Sequence, residues 1–179
     1  SSSCSKNEAE IMPRQNVAKK YHYLALGDSY TIGEMVAPPD NFPGQVYDMM
    51  KNDTVDFQPA RIIAKTGWTT DELETGIIAA NNAEPLRSSY DFVSLLIGVN
   101  NQYRGRSVES YKPEFEELLK KAIRYADNRA DRVVVLSIPD WGVTPFANGR
   151  DRAQIAREID AYNASNKLVA EQYNVHYIN

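Results

Sequence analysis

The chain has 179 residues, 42% hydrophobic and 25% charged, with a net charge of −4. That is enough for one globular domain with a real core, and it offers no global attraction to nucleic acid or anionic lipid. No apolar run approaches the ~18 residues of a membrane-spanning helix, and the single cysteine excludes an internal disulfide and a cysteine-built zinc site.

Residues 1–20 differ from the rest. Ser1-Ser2-Ser3-Cys4-Ser5-Lys6-Asn7-Glu8 is polar and without periodicity, which predicts a flexible tail. It is similar to the region around the lipidated cysteine of a bacterial lipoprotein. That resemblance implies acyl chains on Cys4, a membrane tether, and an extracytoplasmic location, periplasmic or at the cell surface. The alternative is an unmodified thiol in a disordered tail.

The domain proper is expected over 21–179. A first strand, 21–27, carries Tyr23-Leu24-Ala25-Leu26 straight into Gly27-Asp28-Ser29-Tyr30. This pattern predicts a buried strand delivering one serine onto the loop at its C-terminal end. A short helix follows at 45–50 and a second strand at 60–65. The loop Lys65-Thr66-Gly67-Trp68-Thr69-Thr70 comes next. Helix 70–81 starts with Thr70 and Asp71 as candidate caps and keeps Leu73, Ile77 and Ile78 on one face.

The third strand, 91–97, is a continuous apolar run that ends at Gly98-Val99-Asn100-Asn101. Helix 107–128 spaces Phe115, Leu118, Leu119, Ala122, Ile123 and Ala126 three and four residues apart. Strand 132–138 is again apolar throughout, as expected of strands buried on both faces of a parallel sheet. The loop after it holds Trp141 and Phe146, which either line a substrate pocket or cover the core. Helix 150–173 and strand 175–179 complete the chain. Strand–helix alternation of this kind predicts an α/β fold, a right-handed, doubly wound three-layer α/β/α sandwich.

In a parallel sheet the loops after the first three strands share one edge, the edge where ligands bind. Ser29, Gly67 and Asn100 are therefore expected to converge. With these blocks the chain resembles the SGNH, or GDSL-type, hydrolases over about residues 21–179. Gly27-Asp28-Ser29 matches the nucleophile block, Gly67 the glycine block and Gly98-x-Asn100 the asparagine block, in the family's order. The resemblance implies a flavodoxin-like, mostly parallel five-stranded sheet and a serine esterase or acylhydrolase with no metal or organic cofactor. It implies that Ser29 is the nucleophile, with the Ser29 N–H, the Gly67 N–H and the Asn100 side chain forming the oxyanion hole. Family breadth implies a small-molecule, glycan or lipid ester as substrate.

The chemistry asks for these residue types independently. Ester hydrolysis passes through a tetrahedral oxyanion, and losing one fixed N–H donor to it costs about 3–4 kcal/mol. Glycine permits φ > 0 and close backbone approach at 67, and Asn100 offers a carboxamide NH2. The nucleophile elbow of the α/β-hydrolases, Gly-x-Ser-x-Gly, is a different pattern, since position 31 is Thr31.

Each residue has an ordinary structural alternative. Ser29 is a possible helix cap, Gly67 a turn glycine and Asn100 a loop residue in the left-handed region. Asp28 is expected to organise the loop. Asn101 stands where many relatives carry aspartate, which puts any contribution from a carboxylate there in doubt.

A serine hydroxyl needs a general base, normally histidine held by a carboxylate. The family's Asp-x-x-His pair is absent, and the chain has two histidines, His22 and His176. At about 3.3 Å per residue, His22 is ~23 Å from Ser29 on the wrong edge of the sheet. His176 falls inside the last predicted strand, short of the functional edge. Two expectations follow. Either the natural protein continues past Asn179 into Asp-x-x-His, or the chain is a non-catalytic binding module that keeps the pocket without the base. A nucleotide binder is disfavoured, because neither Gly-x-Gly-x-x-Gly nor a Walker motif occurs.

Overall fold

Five parallel strands form the main sheet, in the spatial order Arg61–Ala64, Tyr23–Gly27, Phe92–Leu96, Val133–Leu136 and His176–Ile178. The computed structural model describes residues 19–33 and 55–179; Cys4 and the helix expected over 45–50 lie outside the described residues. The elements in chain order are β1 (Lys19–Tyr21), β2 (Tyr23–Gly27), α1 (Ser29–Gly33), β3 (Val55–Phe57), β4 (Arg61–Ala64), α2 (Thr70–Ala83), β5 (Phe92–Leu96), α3 (Val99–Tyr103), α4 (Val108–Tyr125), β6 (Val133–Leu136), α5 (Arg152–Gln172) and β7 (His176–Ile178). A separate pair, β1 with β3, is also parallel.

The strand expected over 21–27 is interrupted at His22. There the backbone N–H donates to Asp91 Oδ2 at 2.8 Å, and the carbonyl accepts from the N–H groups of Asp91 and Phe92. The chain uses this break to pass from the small sheet to the large one. β3, Val-Asp-Phe, is too short to carry a readable alternation.

The two faces of the sheet follow from side-chain parity. Leu24, Leu26, Val93, Leu95, Val133 and Val135 belong to one continuous core with Leu73 and Ile77 of α2, Phe115 and Leu118 of α4, and Ile159 and Val169 of α5. Each such side chain contributes roughly 1.5–3 kcal/mol on burial. The alternate residues Tyr23, Ala25, Phe92 and Val134 build a smaller cluster with Tyr21. Ser94, the polar residue in the β5 run, accepts a hydrogen bond there from the Tyr23 hydroxyl at 2.6 Å.

The connections β4-α2-β5, β5-α4-β6 and β6-α5-β7 all step the same way across the sheet. Right-handed crossovers then put the three long helices on one face. β2 is where the strand order reverses, with β4 on one side and β5 on the other. Gly27 is level with Ala64 and with Leu96. The loops after these three strands therefore open at one height, at the topological switch point of the sheet.

Candidate active site

Ser29 is the first residue of α1 and is partly exposed. The capping work falls to its neighbour. Asp28 Oδ1 accepts the Tyr30 N–H at 3.0 Å, and the Asp28 carbonyl accepts the Thr31 N–H at 3.1 Å. Among the described residues the Ser29 hydroxyl makes no hydrogen bond, and its N–H is one of the donors a helix start leaves without an internal partner. Asp28 itself is fully buried. Burial pushes its carboxyl up to about 6, against the opposing effect of backbone hydrogen bonds.

Gly67 lies in the turn closed by Trp68 N–H donating to the Lys65 carbonyl at 3.2 Å. Its φ of 88° at the third position is the signature of a type II turn. That geometry flips the Thr66–Gly67 peptide, and the donor of this peptide is the Gly67 N–H. A Cβ at 67 would touch nothing, so the glycine answers to backbone conformation and not to crowding.

Gly98, with φ of 128°, turns β5 into α3. Here a Cβ would also collide with the buried Tyr111 ring. α3 holds the Gly67 loop at three points. Asn100 Nδ2 donates to the Trp68 carbonyl at 3.1 Å, which orients the carboxamide and leaves its second N–H uncommitted. Arg104 Nη2 donates to the Gly67 carbonyl at 2.8 Å and pairs with Glu72 at 2.8 Å.

The third point is Asn101, fully buried, whose Oδ1 accepts the Thr70 N–H at 3.1 Å while Nδ2 donates to Thr70 Oγ1 at 2.9 Å. Asn101 thus faces the start of α2 and works as a brace. The N-cap of α2 is Thr69, one residue before the expected pair. Its N–H goes to Glu72 at 3.2 Å and its hydroxyl to Asp71. Hydrogen bonds from Thr69, reinforced by Arg104, hold the Glu72 carboxyl below its ordinary range.

Ser29, Gly67, Asn100, Trp141 and Phe146 all line one cleft of about 350 Å³, together with Tyr30, Thr66, Val99 and Tyr103. Trp141 belongs to the core and to the cleft wall at once. It packs in the main core and donates its indole N–H to Gln102 Oε1 at 2.5 Å, while also walling the cleft. Phe146 is 85% exposed, which is no position for a residue sealing the core.

The sequence reading missed Tyr103, Arg104 and the brace through Asn101. Tyr103 and Arg104 come close behind the asparagine block, but only the short helix α3 brings them back onto the Gly67 loop and the cleft. His22 sits at the opposite edge of the sheet from Ser29, and His176 begins β7; neither lines the cleft. Among the described residues, no group of three or more His, Cys, Asp or Glu side chains is gathered to hold a metal ion. No described helix is long and apolar enough to cross a membrane.

A family model described as the GDSL-like lipase/acylhydrolase family matches residues 25–179. No curated protein sequence matches the chain significantly. Among solved structures, the chain is similar to AlinE4, an SGNH-hydrolase family esterase, with 14% identity, a TM-score of 0.57, and coverage of 90% of this chain and 76% of that one. It is similar to the psychrotrophic esterase EstA from Pseudoalteromonas sp., with 17% identity, a TM-score of 0.55, and coverage of 89% and 76%. It is also similar to phospholipase A1 from Streptomyces albidoflavus, with 19% identity, a TM-score of 0.54, and coverage of 88% and 78%. At such identities the likeness is one of fold.

Proposed function

The chain belongs to the GDSL-like lipase/acylhydrolase family, and from that membership we propose that it is a serine esterase or acylhydrolase working through an acyl-enzyme on Ser29. In this proposal Ser29 Oγ attacks the ester carbonyl carbon while its proton passes to a base. The carbonyl oxygen becomes an oxyanion held by the Ser29 N–H, the Gly67 N–H and the free N–H of Asn100. Collapse of the tetrahedral intermediate expels the alcohol, which takes up the proton. Water then attacks the acyl-serine, and the acid leaves.

The proposed base is a histidine held by an aspartate beyond position 179, because His22 and His176 stand off the cleft. One observation carries the reading: the serine, glycine and asparagine, from three distant stretches of sequence, line a single cleft. The serine there is free of the capping duty that Asp28 performs.

The test is labelling of the full natural protein with a fluorophosphonate probe, alongside turnover of short-chain p-nitrophenyl esters. Ser29→Ala is expected to abolish labelling and to lower turnover about 10³-fold or more. Equal labelling of both proteins, or none of either, sinks the enzyme reading. A second reading, a binding module that keeps the cleft without a base, is favoured by the position of the two histidines. It is what remains if labelling fails while ligands still bind. Cys4 supports a further part of the proposal, a lipid-anchored protein outside the cytoplasm.

A further inference from the structure

The wall of the Ser29 cleft has a second side. Tyr103 and Trp141 stand edge to face, with ring centroids 5.0 Å apart at 62°. Both rings also line an adjoining cleft of about 350 Å³, whose other residues include Arg150, Asp151, Gln154 and Glu158. The Arg150 guanidinium lies over both rings, 4.9 Å from the Tyr103 centroid and 5.4 Å from that of Trp141. Stacking of this kind fixes a cation in place while leaving its in-plane N–H groups available. Among the described residues the Arg150 side chain forms no ion pair or hydrogen bond, although two carboxylates line the same cleft. Tyr103 is 49% exposed, so the wall itself is open to a ligand.

The cleft presents both senses of hydrogen bonding. Arg150 and the Gln154 amide donate; the Glu158 carboxylate, the Gln154 carbonyl and the Asp151 oxygen not used in capping α5 accept, since Asp151 Oδ1 takes the Gln154 N–H at 3.0 Å. An anion entering here would meet two carboxylates, and a cation would meet the guanidinium. A hydrocarbon chain would strip water from all four polar groups without replacing their bonds. A neutral group rich in hydroxyls, each both donor and acceptor, matches the set.

Resting on the hydrolase reading of the adjoining cleft, we propose that this second cleft is a glycosyl subsite, which takes the sugar alcohol part of an ester whose carbonyl lies at Ser29. Tyr103 and Trp141 form the threshold between the two, and Arg150 and Gln154 determine specificity for the sugar side.

The experiment reads binding without turnover, using unesterified neutral trisaccharides. The 15N-labelled protein is titrated with xylotriose and, separately, with triacetylchitotriose, while the Trp141 indole N–H resonance is followed; Trp68→Phe distinguishes it from the other tryptophan. At least one trisaccharide is expected to shift the Trp141 signal saturably. Arg150→Ala and Gln154→Ala are each expected to weaken that binding roughly fivefold, as for the loss of a single hydrogen bond. Both substitutions fall on surface side chains of the cleft, and Arg150→Lys serves as a further folded control that keeps the charge but loses the planar fork. The proposal is overturned by the absence of a saturable shift with either sugar, by binding that neither substitution weakens, or by inorganic phosphate competing for the site. Ser29 labelling and sugar binding are independent readouts, so failure of the hydrolase reading and failure of the subsite are told apart.

Discussion

Asp28 holds one carboxylate oxygen against the Tyr30 N–H and leaves the other buried and without a partner among the described residues, as is the Thr31 hydroxyl. A carboxyl whose value rises from the ordinary 3.8 to about 6 on folding resists ionisation in the native state. Between about pH 4 and pH 6 the unfolded chain has given up this proton while the folded one still keeps it. Stability from this group is therefore greatest in acid, falls as pH rises through that window, and levels off above it, by on the order of 2–3 kcal/mol in all. Asp28→Asn keeps the oxygen that caps α1 and removes the titration. Urea unfolding at pH 4 and at pH 7.5 is expected to show that the wild type loses this increment relative to the variant. A pH dependence unchanged by the substitution would show that Asp28 ionises freely.

Residues of this kind differ in how well the sequence announces them. Ser29, Gly67 and Asn100 are legible because each belongs to a short pattern next to a strand. Arg104, Tyr103 and Arg150 are not, because what they do depends on contacts with segments about 37 or more residues away.

At the level of elements, α3 is five residues long, yet it holds the loop that carries Gly67. Its contact with α2 runs through a chain of directed bonds. The Thr70 hydroxyl donates its one proton to Glu114 Oε2 at 2.8 Å, so its oxygen needs a donor, and Asn101 Nδ2 is that donor. An aspartate at 101 has no proton to offer. Asn101→Asp is therefore expected to destabilise the protein by about 1–3 kcal/mol, the cost of a frustrated buried hydrogen bond. Adding Glu114→Gln reverses the direction of the chain: the new amide donates to Thr70, whose proton then turns to the aspartate. Urea unfolding of the two single variants and the double variant is expected to show recovery of most of the loss. Simple additivity would mean that no such chain exists.

Elements were readable where burial imposes a period. β5 lies inside a run that is apolar but for Ser94, and α4 follows the spacing of Phe115, Leu118, Leu119 and Ala122. The break at His22 was not readable, because a partner far along the chain, Asp91, decides it; the α2 cap at Thr69 is set locally, by the capping box Thr69-Thr70-Asp71-Glu72, and that signal stands in the sequence one residue before the expected pair.

Across the whole molecule, stability should be graded from the middle of the sheet outward. β2 and β5 are buried along their full length, and β6 nearly so, whereas at the two edges β4 fully buries only Ile63 and every residue of β7 is partly exposed. Native-state hydrogen exchange is expected to find the amides of β2, β5 and β6 opening only with global unfolding, and those of β4 and β7 opening at lower free energy. Equal protection across all five would contradict this gradient. The parallel order itself was legible from strand–helix alternation, since handedness and short connections leave few alternatives. The meeting of the second cleft with the first was not, since it arises where α3, the 139–151 stretch and α5 come together in space. Gly27, Ala64 and Leu96 stand in register, so the three strands behave as pillars of equal height. One inserted residue in any of them would raise its loop by about 3.3 Å and swing the following side chains to the opposite side. Insertions in this architecture are thus tolerable above the pillars and ruinous within them, and strand length serves as the ruler against which the cleft-lining loops are aligned.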